Sequence, residues 1–377
     1  MRIRELSFSL HRISPATPWQ DATHKVTGLE FIVARLKTMS GATGTGFSYT
    51  VGVGGSAILA LLEDYCAGIL AGQNIGEPER IWRLLFDHLH RTGSGGINTL
   101  AIAAIDIAVW DALARLQNVP LWRALGGAKS RIRGYGSGID LFMTPDELGN
   151  HVRGYLQQGY QAVKIKVGRV KLSEDLERLH VARELIGPDR QLLLDANQCW
   201  TVAEAIQRAR AFEPYQPAWL EEPLAPEDVS GHARLRAMTS IPIAAGESLY
   251  TAPQFAQYLR AGAVDVLQPD IARVGGYTPW KKIAALAEAW NVPVAPHFLA
   301  ELSLHALCAV PNGLLLENVT GGSFFELGMT DTPLEPHDGV FLPPDVPGHG
   351  LNLNREVLDR WQVHPGELRA LDTSTHL

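Results

Sequence analysis

Between Lys164 and Glu317 the chain carries a row of short apolar runs, each closed by polar or charged residues. They read AVKIK (Lys164, Lys166), LLLDAN (Asp195, Asn197), AWLEEP (Glu221), AAGE (Glu247), VLQPD (Asp270), VAPH (His297) and LLLEN (Glu317). From Lys166 onward the steps are 29, 26, 26, 23, 27 and 20 residues, the length of one strand, one loop and one helix. An apolar run capped by a charge and repeated at that interval predicts an α/β fold of the (β/α)8 barrel kind. Its chemistry belongs at the C-terminal ends of successive parallel strands.

The rest of the chain fits around that barrel. Its 377 residues accommodate a barrel of about 250 residues and a second domain of about 100. Residues 1 to about 50 alternate apolar and polar, with a turn at Gly41–Gly44, and read as strands. From about residue 56 the period becomes helical. Ser56 is placed to cap the helix AILALLEDYCAGIL, Pro78 opens another, and TLAIAAIDIAVWDALARLQNVPLWRALGG reads as a long buried helix, a short one and a Gly-Gly stop. The expected organisation is an α+β capping domain over 1–127 and a barrel over 128–335 that begins at RIRGYGSGI. A C-terminal segment over 336–377, with a short helix from Arg355 to Trp361, is expected to pack back toward the capping domain.

Composition narrows the class. A net charge of −7, a pI near 6.0 and the lack of a Lys/Arg-rich run argue against a nucleic-acid partner. The three cysteines, Cys66, Cys199 and Cys308, have neither disulfide nor metal spacing and point to a reducing compartment. The N-terminus lacks the apolar core of a signal peptide. The most apolar stretch, Leu100 to Leu116, is broken by Asp106 and Asp111, which speaks against a membrane span. A cytoplasmic protein is the expectation.

Asp195, Glu221 and Glu247 end three consecutive strands, so a barrel brings them to one spot. Three carboxylates there repel unless a cation lies between them, and all-oxygen ligation selects a hard divalent ion such as Mg²⁺. Taken singly, each is equally a salt-bridged strand end. Spacing alone leaves Glu221 and Glu222 as alternatives, with the parity of Trp219 favouring Glu221. Lys164 and Lys166 lie two apart and share the inward face of their strand, while Val163, Ile165 and Val167 face the helices. Burial beside another ammonium is expected to lower a lysine's pKa and make it a general base. Asp270 and His297 end the sixth and seventh strands, where a carboxylate beside an imidazole fixes its tautomer and gives a second acid/base. Glu317 ends the eighth: neutral, it would donate to an oxyanion; ionised, it would pair with a lysine. The set points to proton abstraction α to a carboxylate through an enediolate.

KIK, DAN, EEP, GES, QPD with GG following, PHF and LEN stand in the order they have in the mandelate racemase subgroup of the enolase superfamily. The chain resembles that family over nearly its whole length, AIDIAVWDALARLQNVPLWRALGG included. The resemblance implies Mg²⁺ on Asp195, Glu221 and Glu247, and a small-molecule carboxylate substrate. It implies that Lys164 polarises the substrate carboxylate, Lys166 is a base, His297 with Asp270 is the opposing acid/base, and Glu317 hydrogen-bonds the carboxylate. Asn197 would touch substrate near the metal, and relatives are commonly homo-octamers. Two capping loops, about 14–28 and 47–56, would set specificity. His24 and Lys25 there suit a polyhydroxy substrate with a second carboxylate, or else project into solvent, and Tyr49 offers a hydroxyl.

The expected activity is therefore that of a Mg²⁺-dependent acid-sugar dehydratase of carbohydrate catabolism, turning an aldarate or aldonate into a 2-keto-3-deoxy acid. A racemase or epimerase of a 2-hydroxy acid and a sugar-lactone cycloisomerase use the same constellation. Two readings from other classes are a Schiff-base aldolase on Lys166, marked by borohydride trapping and insensitivity to EDTA, and a binding relic of the fold, marked by no α-carbon exchange.

Overall fold

Alternation at period 2 in the first fifty residues becomes an antiparallel sheet of β1 (Ile3–Ile13), β4 (Leu29–Thr38) and β5 (Thr43–Thr50), in the order β1-β4-β5. A small hairpin, β2 (Trp19–Gln20) with β3 (Lys25–Val26), interrupts the first connection. The computed structural model describes residues 1–16 and 19–363. Residues 17, 18 and 364–377, which fall in the first capping loop and the C-terminal segment as read from sequence, lie outside the described residues.

The sheet packs on the helix Ile97–Leu116, which is long and apolar enough to cross a membrane by composition, yet 89% of its most apolar stretch is buried in the protein. Two glycines set that contact. A Cβ at Gly46 would stand 2.0 Å from the Ala104 carbonyl oxygen, and one at Gly44 would stand 2.1 Å from that of Ala108. Backbone therefore meets backbone, and the helix answers with alanines four apart (Ala104, Ala108, Ala112). The two acids in this helix are staples. Asp106 accepts the Thr278 N–H at 3.0 Å, and Asp111 accepts the N–H groups of Thr45 and His349, both at 2.9 Å.

One sequence expectation is corrected here. The helix that follows β5 starts at Gly55, after Gly54 at φ 101°, so Ser56 is not its cap. The Gly55 N–H is taken instead by the Glu30 carboxylate, 2.8 Å away on β4. A partner 25 residues back in the chain performs the task that local spacing assigned to a neighbour.

The barrel strands are β6 (Ile132–Ser137), β7 (Ala162–Lys166), β8 (Gln191–Asp195), β9 (Trp219–Glu221), β10 (Ile243–Ala245), β11 (Val266–Leu267) and β12 (Leu316–Val319). They run parallel in the order β11-β10-β9-β8-β7-β6-β12. The ring closes through Val294, which bridges Leu267 on one side and Gly313 on the other, so the seventh strand is reduced to a single paired residue. Helices follow the first seven strand positions, from Pro145–Gln157 to Ala300–Ala309. After β12 the chain instead returns as β13 (Val340–Phe341), antiparallel to the start of β6. The helix Arg355–Trp361 then reaches the cap, where His11 Nδ1 bonds the Leu358 carbonyl at 2.8 Å.

An apolar layer fills the barrel with one residue per strand position: Tyr135, Ala162, Leu193, Trp219, Ala244, Val266, Ala295 and Leu315. Two residues further along, period 2 aims the next side chains inward as well. Those are Ser137, Lys164, Asp195, Glu221, Gly246, Gln268, His297 and Glu317. The change from apolar to polar on going up one layer is what creates a site. Val163, Ile165 and Val167 face the helices, as the parity of β7 requires.

Candidate active site

The fifth strand breaks the pattern, and for a steric reason. At Gly246, φ 145°, a Cβ would meet the Gln268 nitrogen at 2.7 Å, so the inward position is empty of side chain and Glu247 supplies the carboxylate one residue later. Asp195, Glu221 and Glu247 then offer oxygens within 4.8 Å of one another, all buried. Orientation separates Glu221 from Glu222. Trp219 and Glu221 share the inner face, the Trp219 Nε1–H donating to Glu221 Oε2 at 3.1 Å. Glu222, at φ 38°, turns away and accepts from Gln198 Nε2 at 2.7 Å. Burial pushes Glu221 up to about 7 and Glu222 up to about 8. Three buried carboxylates that converge, with burial raising the pKa of Glu221 among them, fit a hard divalent cation.

The lysines lie beside this cluster. Lys164 Nζ is 2.7 Å from Glu221 Oε1 and 2.7 Å from Glu317 Oε1, and Lys166 Nζ is 2.5 Å from Asp195 Oδ2. The expected lowering of the lysine pKa is not found. Burial does lower both, but the carboxylates outweigh it and hold Lys164 and Lys166 above the ordinary lysine value. Sequence parity showed the second ammonium; the opposing anions come from three other strands. Glu317 takes the ionised alternative. Burial works against its carboxylate, yet Lys164 and His297 keep it well below the usual range, and Ser137 Oγ and the Phe298 N–H donate to it at 2.8 and 2.9 Å.

Across the site, His297 Nδ1 bonds Asp270 Oδ2 at 2.8 Å, which leaves Nε2 directed toward Glu247, 3.7 Å from its Oε2. Burial opposes protonation of the ring, but Glu247 and Asp270 prevail and raise its pKa. Tyr49 from the cap donates to the same Asp270 oxygen at 2.6 Å. The Tyr49 hydroxyl, expected from sequence as a donor to substrate, is thus engaged by a barrel carboxylate. Asn197, at φ 45°, donates its backbone N–H to Asp195 Oδ1 at 3.0 Å. Its side-chain oxygen is buried without a hydrogen-bond partner among the described residues.

The other cap residues stand apart. The His24 side chain is 72% exposed and bonds Thr23 Oγ1 at 2.7 Å. Lys25 is exposed on β3. The hairpin that carries them is nonetheless docked, with Trp19 edge-on to Phe298 at 6.2 Å. Sequence reasoning missed Arg273, which is partly buried and donates Nη1 to the Glu247 carbonyl at 2.9 Å and to its carboxylate at 3.4 Å. Its place three residues past Asp270 was the available signal. It also missed Tyr135, whose ring lies 5.6 Å from Lys164 Nζ and which the parity of β6 placed inward.

Known proteins share this fold. The mandelate racemase / muconate lactonizing enzyme N-terminal domain matches residues 7–126, and the enolase C-terminal domain-like model matches residues 147–357. A 3,6-anhydro-α-L-galactonate cycloisomerase from Streptomyces coelicolor is 38% identical, over 96% of this chain and 99% of its own length. An L-talarate/galactarate dehydratase from Salmonella typhimurium is 33% identical, over 96% of this chain and 91% of its own. A crystal structure of a Streptomyces coelicolor racemase with bound magnesium superposes with a TM-score of 0.92 at 38% identity, covering 96% of this chain and 100% of that one. The L-talarate dehydratase from Polaromonas, with Mg and L-glucarate, gives 0.90 at 32% identity, covering 96% of this chain and 98% of that one. With both family domains in register and the carboxylates converging at the strand ends, the chain belongs to the mandelate racemase subgroup of the enolase superfamily.

Proposed function

We propose that the protein is a Mg²⁺-dependent acid-sugar dehydratase, which removes the proton α to the carboxylate of an aldarate or aldonate and expels the β-hydroxyl. The observation that carries this reading is the placement of two acid/base groups, Lys166 and His297, on strand positions two and seven, with the carboxylate triad of positions three to five between them. Mg²⁺ on Asp195, Glu221 and Glu247 would polarise the substrate carboxylate and offset the charge gained as the α-proton leaves. Lys164 supplies a second positive charge to that carboxylate and is itself held by Glu221 and Glu317. Lys166 or His297 takes the α-proton, according to which face of the α-carbon it occupies; for Lys166 this requires that the Asp195 carboxylate that holds its proton be neutralised, as a cation on the triad would do. The other can protonate the departing β-hydroxyl, so that water leaves and the enol becomes the 2-keto-3-deoxy acid. Asp270 fixes the His297 tautomer so that Nε2 is the working nitrogen.

A cycloisomerase is the second reading, favoured by the 38% identity to the Streptomyces enzyme. A screen of aldarates, aldonates and their lactones in D₂O with Mg²⁺ decides between them. A semicarbazide-reactive product lighter than substrate by one water supports dehydration. A product of unchanged mass, or α-deuterium alone, moves the assignment to cycloisomerisation or racemisation. No exchange with any substrate in the set would overturn both.

A further inference from the structure

Each acid/base group is fastened to the cap through a different buried contact. On one side the main chain of Lys166 is gripped at both ends. Its N–H donates to Asp140 Oδ1 at 3.0 Å, and its carbonyl accepts from Arg178 Nε at 3.1 Å. Arg178 Nη2 reaches the same Asp140 oxygen at 2.5 Å. Asp140 is 2% exposed and Arg178 is 4% exposed. The backbone of Asp140 is in turn bridged to Gln20 of β2, in the first capping loop. A continuous path therefore runs from that loop to the strand end that carries Lys166.

On the other side Tyr49, 3% exposed, sits one residue before the end of β5 and so at the root of the second capping loop. Its hydroxyl and His297 Nδ1 share Asp270 Oδ2, at 2.6 and 2.8 Å. Packing alone does not require that hydroxyl, because the ring already lies against Phe31 and Phe298. A buried Arg–Asp pair likewise adds little net stability once its desolvation is counted, whereas its geometry is strict. Both contacts fix positions.

We propose that the Asp140–Arg178 pair and Tyr49 are positioning residues, the first acting through Lys166 and the second through His297, so that each capping loop sets a different acid/base group. The inference rests on the two-face proton transfer proposed above.

Tyr49→Phe, Asp140→Asn and Arg178→Lys test it in the Mg²⁺-loaded protein, first without substrate. In spectra of protein labelled with ¹⁵N at histidine, Tyr49→Phe is expected to move the ring signal that His297→Asn deletes, and Asp140→Asn to leave it in place. Backbone amide exchange at Lys166 is expected to rise in Asp140→Asn and to stay unchanged in Tyr49→Phe. Arg178→Lys, which keeps the charge, decides this arm if Asp140→Asn does not fold. The second stage measures α-exchange in D₂O with galactarate and talarate, which are epimeric at one α-carbon. The ratio of the two rates should shift by roughly tenfold or more in opposite directions for Tyr49→Phe and Asp140→Asn. Proportional loss at both faces, or a His297 signal that moves equally in both variants, would overturn the inference. Absence of exchange in the wild type would instead fail the proposed activity and leave the two spectroscopic arms to decide this one.

Discussion

Lys166 and His297 share no hydrogen-bond partner among the described residues. The first is paired with Asp195, the second with Asp270, and this separation makes their removal informative. Lys166→Ala and His297→Asn should each lower kcat by about 10²- to 10⁴-fold without weakening Mg²⁺, as titration calorimetry would register. Full activity in both variants would refute the two-base reading. The carboxylates give a second contrast. Glu221→Gln should weaken Mg²⁺ on the order of 100-fold or more. Glu222→Gln, whose carboxylate meets Gln198 at 2.7 Å, should cost much less; the reverse order would move the ligand. At this scale parity carried far. Lys164, Lys166, Asp195, Glu221, His297 and Glu317 all face the axis because period 2 leaves no other option. The charge states of the lysines were not legible, since they depend on Asp195, Glu221 and Glu317 on other strands.

Elements add constraints that single positions do not show. Where β5 meets the helix Ile97–Leu116, no side chain separates the two backbones at Gly44 and Gly46. Gly46→Ala should destabilise the fold by about 3 kcal/mol in denaturant unfolding, and a near-neutral result would show that the helix can retreat. Asp106 in that helix has a pH signature. Burial raises its pKa from 3.8 to about 7, so the native state holds a proton there that the unfolded chain has released. Its contribution to stability is full below about pH 4 and is lost as pH rises through 7. Asp106→Asn should flatten the fall in unfolding free energy over that interval by on the order of 1–3 kcal/mol, and parallel curves would exclude it. Helix and strand existence was legible from period, including the short Arg355–Trp361 helix. The start of the helix at Gly55 was not, because Glu30 acts from another strand. Nor was the reduction of the seventh strand to Val294, which depends on its two neighbours.

In the whole molecule the cap and the barrel meet at the site: Tyr49 belongs to one and Asp270 to the other, 221 residues apart. That contact has no local pattern, and those of Asp140 and Arg178 with Lys166, though only 26 and 12 residues apart, join different elements, which is why none of the three was legible in these roles. Mg²⁺ should act on this assembly by mass action. At 100 times its Kd it should add about 2.7 kcal/mol to unfolding and raise Tm relative to EDTA-treated protein. The same addition to Glu221→Gln should raise Tm far less, and an equal rise would place the ion elsewhere.

One further consequence follows from the edge of the cap sheet. Leu10 and His11 in β1 are bonded by Val363, Leu358 and Gln362, so the end of this strand is covered by residues made some 350 positions later. At usual elongation rates of roughly 5–20 residues per second, that edge stays open for on the order of 20–70 s. An unpaired edge for that long is an invitation to other chains. Holdase chaperones therefore should engage the nascent cap sheet and let go only when the barrel has been made.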